Sequence, residues 1–185
     1  MGLDRNPDRP YRAPNRSCDG TLPMQTLIPL ARQAADLLKG RGWTIAVAES
    51  STGGLIAASL LALPGASAYF LGGAVIYTKR ARFALLGIDD ATMAGKRAST
   101  EVYADLLART VAMQHGATWG IGETGATGPT GNSYGDAAGH CCIAISGPQM
   151  RTMTLETGSG DREANMRRFA EAALQELIAA INART

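Results

Sequence analysis

Apolar residues recur at helical spacing through Leu27, Leu30, Ala31, Ala34, Leu37 and Leu38, with Thr26 a candidate cap, Pro29 tolerable in the first turn, and Gly40 and Gly42 as the stop. This pattern predicts an amphipathic opening helix. The apolar run Trp43 to Val47 reads as a strand, and Leu55 to Leu63 as a helix. After the break at Pro64-Gly65, Leu71 to Tyr77 reads as a second, buried strand despite Gly72 and Gly73 inside it. Lys79 to Leu86 reads as helix. Thr100 caps a longer helix whose side is formed by Val102, Leu106, Leu107, Thr110 and Val111 and which Gly116 ends. A third strand covers Thr118 to Glu123, and Cys141 to Ser146 with Met150 to Glu156 form a hairpin over Ser146-Gly147-Pro148. The closing helix starts near Asp161 and presents Met166, Phe169, Ala170, Ala173, Leu177 and Ile181 on one face. This alternation predicts an α/β fold, a three-layer α/β/α sandwich with a largely parallel mixed sheet and one antiparallel hairpin.

Length adds that 185 residues suit one domain with a substantial core. Residues 1–22 hold four arginines, three prolines and three aspartates among few apolar side chains, so they read as a flexible N-terminal tail. Residues 23–185 then form a single domain. A net charge of +2, scattered basic residues and 5% aromatics give no case for nucleic acid or a membrane as partner. Cys18, Cys141 and Cys142 do not read as a disulfide framework, and two histidines without ligand spacing imply no metal. With no apolar run approaching the ~20 residues of a membrane span and no signal-peptide core, the cytoplasm is the expected compartment.

The candidate chemistry lies between secondary-structure elements. Ala48-Glu49-Ser50-Ser51-Thr52-Gly53-Gly54 joins the first strand to a helix, where free backbone NH groups and the helix dipole can hold a phosphate or an oxyanion. The simpler alternative is that Ser51 or Thr52 caps the helix and the glycines make the turn. A Gly-rich loop from Thr124 to His140 leaves the carboxyl end of the third strand, so both loops face the sheet edge where ligands of open α/β sheets bind. Tyr77-Thr78-Lys79-Arg80-Ala81-Arg82 brings cations to that edge, and in Gly160-Asp161-Arg162 the aspartate can cap the last helix while Arg162 reaches an anion.

Taken together, these elements resemble the CinA C-terminal domain family, over roughly residues 25 to 183. The resemblance is carried by Ala48 to Gly54, where the family usually has A-E-S-C-T-G-G, by Pro64-Gly65-Ala66-Ser67, by Gly73 to Tyr77, by Thr124-Gly125-Ala126-Thr127-Gly128-Pro129-Thr130-Gly131, similar to T-G-I-A-G-P-x-G-G, and by Gly160-Asp161-Arg162. Family members include nicotinamide-nucleotide amidohydrolases, which convert nicotinamide mononucleotide to nicotinic acid mononucleotide and ammonia. The resemblance therefore implies a hydrolase of pyridine nucleotide metabolism that needs no cofactor, takes a small pyridine nucleotide as partner, and self-associates as a homodimer or higher homo-oligomer. Many members also carry a larger N-terminal domain, for which this sequence has no counterpart.

By the same resemblance Ser50 is the nucleophile, and a lysine five residues after Tyr77 is its activating base. Here that position is Arg82, and a guanidinium cannot be deprotonated near neutral pH. If a helix begins directly after Tyr77, Lys79 shares a face with Arg82 and stands in for the base. Otherwise Arg82 holds the substrate phosphate while another group such as Tyr77 activates the serine, or the domain binds a nucleotide-like ligand without turning it over. The catalytic set is thus Ser50, Tyr77, Lys79 and Arg82. The substrate-binding set is Ser51, Thr52, Gly53 and Gly54, whose NH groups would hold the oxyanion, with Thr124, Gly125, Thr127, Gly128 and Arg162 on ribose and phosphate. Glu49 is expected to fix the loop through backbone NH groups rather than to titrate. The Asn132 to His140 stretch departs from the family's G-G-x-x-x-K-P run.

Overall fold

The computed structural model describes residues 23–183, so the expected N-terminal tail and Cys18 lie outside the described residues. A short 3-10 turn, Pro23–Thr26, leads into α1 (Ile28–Arg41), followed by β1 (Ile45–Glu49), α2 (Leu55–Leu61), β2 (Phe70–Val75), α3 (Lys79–Leu86), α4 (Glu101–His115), β3 (Trp119–Ala126), β4 (His140–Ser146), β5 (Arg151–Glu156) and α5 (Arg162–Asn182). Leu27 rather than Thr26 occupies the N-cap of α1, Gly40 lies inside the helix, and Gly42 stops it in a left-handed conformation. Asp161 and Thr100 cap α5 and α4 as expected, accepting from the NH groups of Ala164 and Tyr103.

The five strands form one mixed sheet in the order β2-β1-β3-β4-β5. β1 runs parallel to β2 and β3, while β4 pairs antiparallel with β3 and β5. Side chains alternate between two cores because successive strand residues face opposite sides. Ile45, Val47, Trp119, Ile121, Cys141, Ile143 and Ile145 pack under α1, α2 and α5. Ala46 and Ala48 meet α4 on the other face together with Ile76 and Leu86. Cys142 and Ala144 pack there against Ala104 and Ala108 of α4. Cys141 and Cys142 therefore lie in separate layers, both as free thiols.

Three expectations are corrected. β2 is an edge strand whose Leu71 and Val75 are exposed, because the chain after it turns into α3 and brings no further strand alongside. α4 keeps Leu107 and Val111 of its expected face inward but is turned so that Val102 is exposed and Ala104 and Ala108 join them against the sheet. The third reason lies in pairing, since Thr124, Gly125 and Ala126 stand in antiparallel register with Cys142, Cys141 and His140 and so extend β3, leaving 127–139 as the loop. No helix among the described residues is long and apolar enough to cross a membrane.

Candidate functional site

Where β1 ends, the neighbouring strands carry similar dipeptides at the same level, Glu49-Ser50 and, within β3, Glu123-Thr124. Alternation sends each pair in opposite directions. The carboxylates turn toward the α2 and α5 layer, and the hydroxyl residues Ser50 and Thr124 line a cavity of about 690 Å³ on the other side. Ile76, Tyr77, Lys79 and Arg82, from the end of β2 and α3, form one wall. Asp90, Met93, Lys96, Arg97, Ser99 and Tyr103 form another, and Asn132 and Tyr134 of the long loop contribute a third.

On the cavity side Ser50 Oγ has no hydrogen-bond partner among the described residues, and neither does Lys79 Nζ. Helix α3 does begin at Lys79, capped by the Thr78 hydroxyl that accepts from the NH of Ala81, so Lys79 and Arg82 share a face toward the cavity. Arg82 is buried and committed elsewhere. Its Nε donates to the Ile88 carbonyl at 3.0 Å and its Nη2 to Asp90 Oδ1 at 2.6 Å. Burial pushes the neighbouring Tyr103 phenol up, with the Arg82 charge working against that rise.

Behind the cavity, Glu49 Oε2 accepts from the NH groups of Gly54 and Ile56, both at 3.0 Å, and its Oε1 from Ala57 at 2.8 Å. A glutamate from the preceding strand thus caps α2, as a carboxylate at a helix N-terminus should. Neither Ser51 nor Thr52 supplies that cap. Glu123 Oε2 accepts from the NH groups of Ser50 at 3.0 Å and Thr52 at 2.9 Å, and the Ser51 hydroxyl donates to its Oε1. The NH of Gly53 is used by the Ser50 carbonyl. Of the four turn NH groups expected to hold an oxyanion, three are therefore engaged, and the NH of Ser51 remains open among the described residues.

The cavity gathers Ser50, Tyr77, Lys79, Arg82, Thr124 and Gly125 from the expected site residues. Ser51, Thr52 and Thr127 are instead buried behind it. Gly53 sits against Met166 with positive φ, and Gly54 opens α2. Arg162 braces the rim, donating to the Gly128 carbonyl at 2.8 Å and to the Tyr77 hydroxyl at 3.3 Å. Its guanidinium ties the long loop to the β2–α3 corner.

Sequence reasoning missed Glu123 and the wall from residue 90 to 99. Repetition of Glu followed by Ser or Thr at the ends of two expected strands was the available signal for Glu123. Residues 87–99 have no periodicity to read, and Ser99 takes a left-handed φ of 55° there. Its NH donates to Thr124 Oγ1 at 3.2 Å, and its hydroxyl accepts from Asn132 Nδ2 at 3.1 Å. Arg97 forms a two-point ion pair with Asp136 and lies over the Tyr134 ring. That guanidinium holds the Asp136 carboxyl below its usual range, with Asn132 Nδ2 adding to the effect. Among the described residues no cluster of His, Cys, Asp or Glu could hold a metal ion.

Comparison with known proteins gives a consistent picture. A family model described as the CinA C-terminal domain matches residues 27–181. A CinA-like protein of Chlorobium limicola is 40% identical over 145 residues, covering 76% of this chain and 34% of that protein. One from Chloroherpeton thalassium is 37% identical, covering 89% of this chain and 40% of its own length. The chain thus spans between a third and two-fifths of these relatives. Among solved structures, competence damage-inducible protein A from Klebsiella pneumoniae superposes with a TM-score of 0.79 at 26% identity, covering 89% of this chain and all of that one. The competence/damage-inducible protein CihA from Agrobacterium tumefaciens gives 0.77 at 27% identity, covering 86% and 96%.

Proposed function

The chain belongs to the CinA C-terminal domain family, and on that footing we propose that it hydrolyses the carboxamide of nicotinamide mononucleotide with Ser50 as nucleophile. The observation that carries this reading is Ser50 on the cavity floor, its Oγ free, with Lys79 on the facing wall. Ser50 Oγ attacks the carboxamide carbon as Lys79 accepts its proton. The open NH of Ser51 stabilises the oxyanion, and Lys79 passes the serine proton to the amide nitrogen, which leaves as ammonia oriented by Tyr77 at the mouth as the C–N bond breaks. Water then cleaves the acyl-enzyme to the carboxylate and free Ser50. Lys96, beside Arg97 on the opposite wall, supplies positive charge for the substrate phosphate. Arg82 takes no proton, because a guanidinium bonded to Asp90 stays charged, and it serves to hold the residue 88–90 turn against the wall.

A second reading, ligand binding without turnover, is favoured by that same engagement of Arg82 where active relatives need a base. Ammonia release from nicotinamide mononucleotide separates the two. We expect turnover in the parent and a loss of at least about 100-fold in both Ser50→Ala and Lys79→Ala, because nucleophile and base act as a unit. A silent parent that gains activity on Arg82→Lys would instead support the binding reading.

A further inference from the structure

Two carboxylates stand directly behind the turn that carries Ser50, and the proposed hydrolysis gives neither a role. Glu49 and Glu123 are 1% and 0% exposed, on the same face of neighbouring parallel strands, one step beyond the Ala48 to Gly122 pair. Thr52 Oγ1 lies between them, 2.8 Å from Glu49 Oε2 and 2.7 Å from Glu123 Oε2. The two carboxylate oxygens are therefore no more than about 5.5 Å apart, within the range where like charges oppose each other's ionisation. Among the described residues no Lys, Arg or His side chain bonds to either of them.

A threonine hydroxyl has one proton to donate. With both carboxyls ionised, one of these two short contacts would hold no hydrogen and would set lone pair against lone pair in a dry site. Adding one proton to the pair removes the conflict: one carboxyl donates to Thr52 Oγ1, and Thr52 donates to the other. We propose that Glu49 and Glu123 hold a single proton between them through Thr52, and that this singly protonated pair is the clamp that positions Ser50. Its remaining lone pairs take the NH groups of Ser50, Thr52, Gly54, Ile56 and Ala57, so the turn is fixed at both ends. Burial pushes the Glu49 carboxyl up and outweighs the Ala57 and Ile56 NH groups and the Thr52 hydroxyl, which favour its charged form, while the charge of Glu123 adds to the rise. Besides the hydroxyls of Ser51 and Thr52, the group facing the pair is the Cys141 thiol, 3.6 Å from Glu123 Oε1, which burial keeps protonated. The positioning role rests on the amidohydrolase reading, while the shared proton does not.

Infrared spectroscopy of the full chain at neutral pH reads the proton directly. We expect a protonated-carboxyl C=O band that shifts in D2O, persists in Ser50→Ala and in Glu101→Gln, and disappears in Glu123→Gln. Should Glu123→Gln fail to fold, Glu49→Gln provides the same subtraction. A parent without the band overturns the proposal whether or not either variant folds, and a band that survives in both folded variants overturns it as well. The positioning half is read from turnover: Glu123→Gln is expected to lower kcat by roughly 10- to 100-fold with little change in KM. A change confined to KM would overturn the positioning role. A parent that shows the band yet releases no ammonia would refute the amidohydrolase reading and leave the shared proton standing.

Discussion

His140 shows how one side chain couples the far wall of the site to pH. Burial alone would lower its pKa, but the Glu156 carboxylate 2.5 Å from Nδ1 and the Ser99 carbonyl 3.0 Å from Nε2 outweigh it and raise the value above the ordinary one. Both ring nitrogens face acceptors, which the imidazolium satisfies and neutral imidazole, with one NH, does not. A folded pKa raised above the unfolded value of about 6.5 means that this stabilisation is complete below that pH and is lost as pH rises through the folded value. The stability gap between the parent and His140→Gln should therefore be widest at mildly acidic pH, where Glu156 is still ionised, and close toward alkaline pH. Because Glu156 is largely exposed, a gap of about 1 kcal/mol or less is expected. Urea midpoints measured across that range check it, and a gap that widened with pH would contradict the assignment. The Ser99 turn, with its strained φ and its bonds to Thr124 and Asn132, is what the imidazolium holds in place.

Helix α4 owes its place to what β3 lacks. A Cβ on Gly122 would lie 2.0 Å from the Ala104 carbonyl, and one on Gly120 2.1 Å from that of Ala108, so two bare backbones let the helix settle on the sheet. Gly122→Ala should cost about 3 kcal/mol, the upper end for overpacking, because backbone rather than a flexible side chain must yield. Gly40, inside α1 with open space around its Cβ position, gives the opposite expectation. Gly40→Ala should stabilise by roughly 0.5–1 kcal/mol, and thermal unfolding of the two variants tests both signs. The same close packing explains what could be read beforehand. Where large side chains define a face, as in α5 with Phe169 and Leu177, periodicity located it. On α4 the inward face is marked by Ala104 and Ala108, so the larger Val102 and Leu106 pulled the expected face off course. The ends of strands behaved similarly. Ser50, Tyr77 and Lys79 were legible from motif and position, whereas Glu123 had only the repeated Glu-Ser/Thr dipeptide as a signal and meets Glu49 once β1 and β3 are set in register. Likewise Thr124-Gly125-Ala126 carries loop composition, and long-range pairing with β4 makes it strand.

Over the whole molecule, the cavity is closed by connections from opposite ends of the chain order. Arg97 binds Asp136, Asn132 binds both Ser99 and Asp136, and Arg162 joins the 127–139 loop to Tyr77. These contacts fix Arg97 and the long loop around the cavity that Ser50 lines, and Lys96 lines the same wall as Arg97, an arrangement that favours a ligand with an anionic end and a reactive end. A ligand that binds only the folded chain stabilises it by about 2.7 kcal/mol at a hundred times its Kd, which for a domain of this size raises Tm by roughly 5–10 °C. Nicotinamide mononucleotide should produce such a shift, and nicotinamide riboside, which has the same carboxamide without the phosphate, a clearly smaller one at equal concentration. The difference should shrink as salt screens the partly exposed cations. Asp136→Asn, which weakens the join between the two loops while leaving Ser50 and Lys79 untouched, should reduce the shift with nicotinamide mononucleotide more than it lowers Tm of the unliganded chain. Equal shifts from the mononucleotide and the riboside would show that the cationic wall does not read the phosphate, and would move the anionic end of the ligand out of this cavity.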